Sequence, residues 1–279
     1  MSINFGTLTP SAIKRGASDI TAMYYGASQV WPTTPPLDPE LKVYVDAGNA
    51  SSYPGSGTTW YDLTTNGNNL TLNGSPSYDA TTGSFYFPNS TSVYAVNTSM
   101  SNTTTGAGDA CSWEMWHRYK GPTDNNYYCP VQWGTKANDG VYATGGLLSA
   151  FADSGFNGYA LETSMGGQSL GFNVPNYGAY AYWNKTTAYN VWIHHVMTRE
   201  TSGLVTVYIN ASSVGTTTYS GAVLTAGQLY VGSNDPAFPF GGQLPYYGDI
   251  STCKIWVGKA LTSTEVTANF NATKARYGY

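Results

Sequence analysis

Charge is what this chain has least of. Of its 279 residues, 12 are Lys or Arg and 16 are Asp or Glu, so charged side chains make up only 10%, against about 25% in an average soluble domain. The basic residues form no cluster and the net charge is −4. That leaves no electrostatic footprint for a polyanion and argues against nucleic acid as a partner. Cysteine is scarce as well: Cys111, Cys129 and Cys253 make an odd number without Cys-x-x-Cys spacing. They read as small buried apolar residues, although spacing alone leaves a disulfide between two of them open. No apolar run approaches the roughly 18 residues of a membrane span, so no membrane partner is expected. The stretch from Met1 to Gly16 lacks an apolar h-region, which predicts no secretory signal there.

Paired carboxylates are missing too. Retaining glycosidases need two carboxyl groups about 5 Å apart and inverting ones about 6.5–9.5 Å. Glu40, Glu114, Glu162, Glu200 and Glu265 each stand alone in the sequence, and the reading is of a non-enzyme. His194 and His195 are adjacent, so on a strand they point to opposite faces and cannot share a metal by same-face geometry. One of them is expected in the core and one at the surface, with His117 on a different strand.

What fills the gap is Ser, Thr, Asn, Gly and Tyr, with 24 Tyr and 32 Gly. A polar, uncharged surface of this kind suits glycan contacts or packing among many neighbours. Residues 1–31 read as a small β unit, with Ile13 and Ile20 bracketing a Gly16 turn and a strand–Gly–strand pattern from Ala22 to Trp31. Such a unit is too small for a core of its own. Its Met23, Tyr24, Tyr25, Val30 and Trp31 are therefore expected to bury against a partner, which makes the unit an anchor. Residues 32–40, with four prolines, read as a semi-rigid spacer.

From Leu41 to Tyr279 the chain reads as short strands split by Gly/Asn/Ser/Thr turns, an all-β antiparallel sandwich. On Cys111 to Arg118, Cys111, Trp113, Met115 and His117 share one face, and Ser112, Glu114, Trp116 and Arg118 the other. Trp116 is expected in the core, with Glu114 neutralised by a partner, since an unpaired buried carboxylate costs several kcal/mol. Thr262 and Glu265 form a capping box, with Leu261 and Val266 stapling the start of a C-terminal helix.

Several stretches carry a resemblance. The opening strand Leu41 to Asp46, with its long turn closing on Trp60-Tyr61-Asp62-Leu63, is one. Ser112-x-Glu114-x-Trp116, Trp192-Ile193-His194-His195-Val196-Met197-Thr198 and Tyr208-Ile209-Asn210 are others. Gly248-x-Ile250 and the Ala260-Leu261-Thr262-x-x-Glu265 helix complete the set. Together they resemble laminin-G-like (concanavalin A-type) jelly-roll domains, and most closely those of bacteriophage virion proteins.

The resemblance implies a jelly-roll sandwich over 41–279 in a virion structural protein, a surface decoration, fibre or tail-associated protein. Its partners would be other virion proteins, its own copies in a homo-oligomer, and a host-surface glycan. A stand-alone lectin-like protein is the alternative, and a polysaccharide hydrolase a further one. The sandwich glucanases carry Glu-x-Asp-x-x-Glu, which is not present here. Ala211 stands where the family has Gly, which puts the usual positive-φ turn in question.

Two sets of candidate contacts remain. Tyr127, Tyr128, Tyr177, Tyr180, Tyr182, Trp183, Tyr246 and Tyr247 fall in loop-like regions and read either as sugar-stacking rings or as protein contacts. Asp46, Asn49, Asp62, Asn66 and Asn68 offer oxygens on a turn and are calcium candidates, with ordinary turn chemistry as the competing reading.

Overall fold

A computed structural model describes residues 13–15, 18–20, 23–25, 28–31, 37–103, 109–121, 127–133, 147–153, 158–165, 168–169, 181–184, 190–218, 228–236 and 243–279. The chain divides into two compact units, Met1–Asp38 and Pro39–Tyr279. The first unit carries β1 (Ile13–Arg15), β2 (Ser18–Ile20), β3 (Met23–Tyr25) and β4 (Ser28–Trp31). They pair as two antiparallel hairpins, one with Ile13 opposite Ile20 and the other with Met23 opposite Trp31.

The second unit begins with β5 (Leu41–Asp46), β6 (Thr59–Trp60), β7 (Leu70–Asn73), β8 (Ser77–Asp79), β9 (Ser84–Pro88) and β10 (Tyr94–Asn97). It continues with β11 (Cys111–Tyr119), β12 (Tyr127–Trp133), β13 (Leu147–Asp153), β14 (Gly158–Met165), β15 (Gln168–Ser169) and β16 (Ala181–Asn184). Then come β17 (Ile193–Arg199), β18 (Leu204–Ile209), β19 (Ser212–Thr218), β20 (Leu229–Val231) and β21 (Tyr247–Val257). Helix α1 (Ser263–Thr273) and a 3-10 turn, Lys274–Tyr277, close the chain.

These strands form two antiparallel sheets. One runs β19-β18-β17-β11-β21-β9-β8, with β5 also on β21; the other runs β15-β14-β13-β12-β20-β10-β7-β6, with β16 on β14. Between them lies the main core. Val43, Val45, Trp113, Met115, Met197, Val207 and Ile255 of the first sheet belong to one buried cluster with Trp60, Leu70, Ala95, Val131, Trp133 and Val231 of the second. The fold is a concanavalin-like β-sandwich. On β5 the expected alternation holds, with Leu41, Val43 and Val45 buried and the residues between them half-buried.

On β11 and β17 the alternation vanishes, because the second face of the sheet is buried as well. Helix α1 and the residues after it cover that face. Leu261 and Val266 pack with Leu41, Val196, Tyr208 and Trp256, and Tyr277 and Phe270 pack with Trp116 and Trp192. The helix is held at its start by the full capping box: Glu265 N–H donates to Thr262 Oγ1 and the Glu265 carboxylate accepts from Thr262 N–H. This covering layer corrects one expectation: His117, His194 and His195 are all fully buried, with no surface histidine among them. All three cysteines are buried thiols, and none is joined in a disulfide.

The β18–β19 turn forms without glycine. Asn210 has φ 49° and Ala211 φ 65°, so a side chain sits where the family's glycine would be free of strain. Asn210 compensates in part, since its Oδ1 accepts from His194 N–H at 2.9 Å and its Nδ2 donates to the Tyr279 hydroxyl at 3.0 Å.

Candidate functional site

The calcium candidates fall into separate hydrogen-bonded turns. Asp62 accepts from Tyr44 N–H (2.9 Å), Thr64 N–H (3.0 Å), Thr64 Oγ1 (2.6 Å) and Asn68 N–H (2.9 Å). Asn68 is buried and spends its amide on Lys42 O, Ser101 O and Ser101 N–H. Asn66 donates to Leu41 O and Thr64 Oγ1. Asn49 Oδ1 accepts from Ser51 N–H, and Asp46 pairs with Arg276 at 2.7 Å. These contacts are turn chemistry, in which oxygens meet protein donors and two of the amides act as donors themselves. Such a set does not fit the all-oxygen shell calcium takes. Among the described residues no group of three or more His, Cys, Asp or Glu is placed to hold a metal ion.

The aromatic candidates divide. Tyr128 is a correction: it lies on β12, buried, with its ring 5.4 Å from that of Tyr119. Tyr246 is a second one. It is fully buried, and its hydroxyl lies 3.0 Å from His117 Nδ1. The reason is strand alternation at the start of β21, which sends adjacent residues to opposite sides. Tyr246 turns inward, and Tyr247 is left half-buried beside Tyr86, with ring centroids 6.1 Å apart. Burial, with the Asp249 charge behind it, pushes the Tyr246 hydroxyl well above its ordinary pKa, so it stays protonated. Tyr127 lies on β12 opposite Ala152, and Tyr182 and Trp183 lie on β16 opposite Ala160 and Tyr159. Tyr177 and Tyr180 lie outside the described residues. Met23, Tyr24 and Tyr25 are on β3 and Val30 and Trp31 on β4.

Two charged constellations occupy the helix-side face of the β21 sheet. In one, Glu114 lies 2.7 Å from Lys254 Nζ, accepts from Asn269 Nδ2 at 2.6 Å and lies 3.5 Å from His194 Nε2. Burial alone would raise this carboxyl, but Lys254 and His194 together hold it below the ordinary carboxylate range. Trp116, next on this face, is buried, stacks on Tyr277 at 4.0 Å and donates Nε1–H to Thr273 Oγ1. Glu114 is thus neutralised and Trp116 internal, in the arrangement expected for them.

The second constellation escaped sequence reasoning. Tyr86, Asp249 and Arg118 form one row across β9, β21 and β11. Asp249 Oδ2 lies 2.7 Å from both Arg118 Nε and Lys120 Nζ. The Arg118 guanidinium sits 4.9 Å from the Trp192 ring centroid, and Lys120 Nζ sits 5.4 Å from that of Tyr86. With Tyr86 and Tyr247 both half-buried, this is a polar and aromatic platform at the surface. The only signal for it in the sequence was that Arg118 shares a face of β11 with Glu114 and Trp116, which names a face and not its neighbours.

The family model described as the concanavalin A-like lectin/glucanases superfamily matches residues 89–267. Among solved structures, the binding domain of botulinum neurotoxin serotype G is similar, with a TM-score of 0.59 at 13% identity, covering 84% of this chain and 51% of that one. The binding domain of Paraclostridial Mosquitocidal Protein 1 gives a TM-score of 0.59 at 12% identity, covering 83% and 52%. The binding domain of botulinum neurotoxin DC in complex with SialylT gives 0.56 at 11% identity, covering 84% and 52%. The chain therefore spans about half the length of these structures, and at such identities the likeness is one of fold. No curated protein matches the chain.

Proposed function

The chain belongs to the concanavalin A-like lectin/glucanases superfamily, and from that premise we propose that it is a binding protein whose sandwich engages carbohydrate. The observation that carries the reading is the platform of Tyr86, Tyr247, Arg118 and Lys120 around Asp249. Aromatic faces beside fixed polar groups are what sugar rings use, since the ring C–H faces stack while the groups around them hydrogen-bond. Glu114 supports a non-catalytic role. A catalytic carboxyl must be free to exchange its proton, and this one is committed to Lys254 and Asn269.

We further propose the setting that the sequence resemblance implies, a structural protein of a bacteriophage particle. Residues 1–31 would attach it to other virion proteins or to its own copies, and 41–279 would face outward. Glycan-array binding by the purified chain, weakened by the double substitution Tyr86→Ala/Tyr247→Ala, supports the carbohydrate reading; an array with no signal refutes it. Deleting residues 1–31 should leave a soluble sandwich missing from purified particles, and normal occupancy of the truncated chain refutes the anchor.

A further inference from the structure

Two arginines on the helix-side face of the same sheet are used in opposite ways. Arg276 has four of its five N–H donors engaged: its Nε donates to Thr82 O at 3.1 Å, its Nη1 to Asp46 at 2.7 Å, and its Nη2 to Gly83 O and Ser251 Oγ. The chain is shaped around it, since a Cβ on Gly48 or Gly83 would meet its guanidinium at 2.1 and 2.3 Å. Arg118 is held as firmly but by one end. Its Nε donates to Asp249 Oδ2 at 2.7 Å and its Cζ lies over the Trp192 ring, which is itself packed on Tyr277 at 4.9 Å between centroids. Its two Nη groups have no acceptor among the described residues, and the side chain is 20% exposed.

We propose that Arg118 is the carboxylate fork of an acidic-saccharide subsite. A guanidinium pinned at Nε and stacked on an indole has already lost most of its rotamer freedom. Its two Nη groups then present parallel N–H donors to an incoming carboxylate at little further entropic cost. The Asp249 charge does not repel such a ligand, because it is met at the same oxygen by Lys120 as well as by Arg118. Arg118 and Tyr86 are separated by one strand, so their Cα atoms lie roughly 10 Å apart, a span that a disaccharide covers. The acidic sugar is read at Arg118, and its neighbour stacks on Tyr86 and Tyr247.

This inference rests on the reading of the sandwich as a carbohydrate binder, and the test separates the two. Calorimetric titration of the full chain would use matched oligosaccharide pairs, identical except that a terminal hexose is replaced by the corresponding hexuronate. Inorganic sulfate serves as a sugar-free control. The acidic member should bind at least about tenfold tighter than its neutral partner. Arg118→Lys, which keeps the charge but loses the fork, should bring the acidic member down to the affinity of its neutral partner, both measured in that variant, with thermal unfolding recorded alongside. Arg118→Gln gives a second variant should the lysine distort the site. Equal binding of acidic and neutral partners, unaffected by either variant, overturns the fork and leaves the carbohydrate reading standing. Absence of binding by every pair overturns both. Sulfate binding as tight as that of the acidic sugars, and equally lost in Arg118→Lys, reduces the site to a simple anion hole and overturns the saccharide.

Discussion

The two faces of the β21 sheet are both buried, yet with different chemistry. Toward the second sheet the contacts are mostly apolar, from Val43, Val45, Trp113, Met115 and Ile255, with the imidazoles of His117 and His195, the hydroxyl of Tyr246 and, at the end of β17, the buried Arg199 in phase with them. Toward the helix the sheet presents Glu114, Lys254, Ser112 and Thr252, and the 3-10 turn brings Arg276 onto Ser251, each matched to a partner. The difference teaches how a polar strand face can be internal. The sandwich core is apolar over most of its extent, with Arg199 at the end of β17, whereas the helix layer accepts charge because each charge is met at hydrogen-bond distance.

The largest expected effect is on the helix side. Lys254→Met leaves Glu114 without its main counter-charge and should cost about 3–5 kcal/mol by urea unfolding. The double variant Glu114→Gln/Lys254→Met should recover most of that loss. If the single variant is as stable as the parent, the charged layer contributes nothing and the contrast between the faces collapses.

Acid should attack the other face first. Burial lowers the His117 pKa to about 3, and it lowers His195 well below its ordinary value. Neither ring nitrogen of His195 has a hydrogen-bond partner among the described residues, and its ring rests 4.4 Å from Trp113. For bases depressed in this way, stability is complete above the unfolded value of about 6.5 and is lost as pH falls below it, by up to about 1.4 kcal/mol per pH unit for each group. Glu114 adds its own loss only below the ordinary carboxylate value of about 4.3. Unfolding free energies from about pH 7 to about pH 5 should therefore slope downward, and His195→Leu should about halve the slope, His117 supplying the rest. A flat parent profile would mean that the interior imidazoles titrate normally.

Smaller changes sharpen the picture. Thr262→Ala removes the capping box and should cost about 1 kcal/mol, with Trp116 fluorescence changing before the sandwich core unfolds. Ala211→Gly relieves a left-handed residue and should raise stability by roughly 0.5–1 kcal/mol, with neither face disturbed. A destabilised Ala211→Gly would show that the β18–β19 turn carries no strain.

Much of the fold was legible from residues 41–69 and 245–279, where strand period, capping chemistry and turn residues agree with one another. What misled was coverage. Strand period alone sends one of His194 and His195 to a surface face, because nothing local says that α1, more than 60 residues later, will cover that side of the sheet. Tyr246 and Tyr128 were misread for a related reason: a tyrosine next to a turn looks like a contact until the strand's phase is known. The platform around Arg118 was hidden because its members come from three strands and a loop that only the sheet order brings into one row.

Strand β21 is hydrogen-bonded to β11 on one side and to β9 and β5 on the other. During synthesis β5 leaves the ribosome roughly 200 residues ahead of the strand it needs, a delay of about 10–40 s at ordinary elongation rates. Over that interval three hydrophobic strands wait with open edges, and no local hairpin can satisfy them. The architecture therefore folds late and nearly all at once. A nascent chain arrested before β21 is a species for chaperones to hold, prone to pair with its siblings on the same polysome.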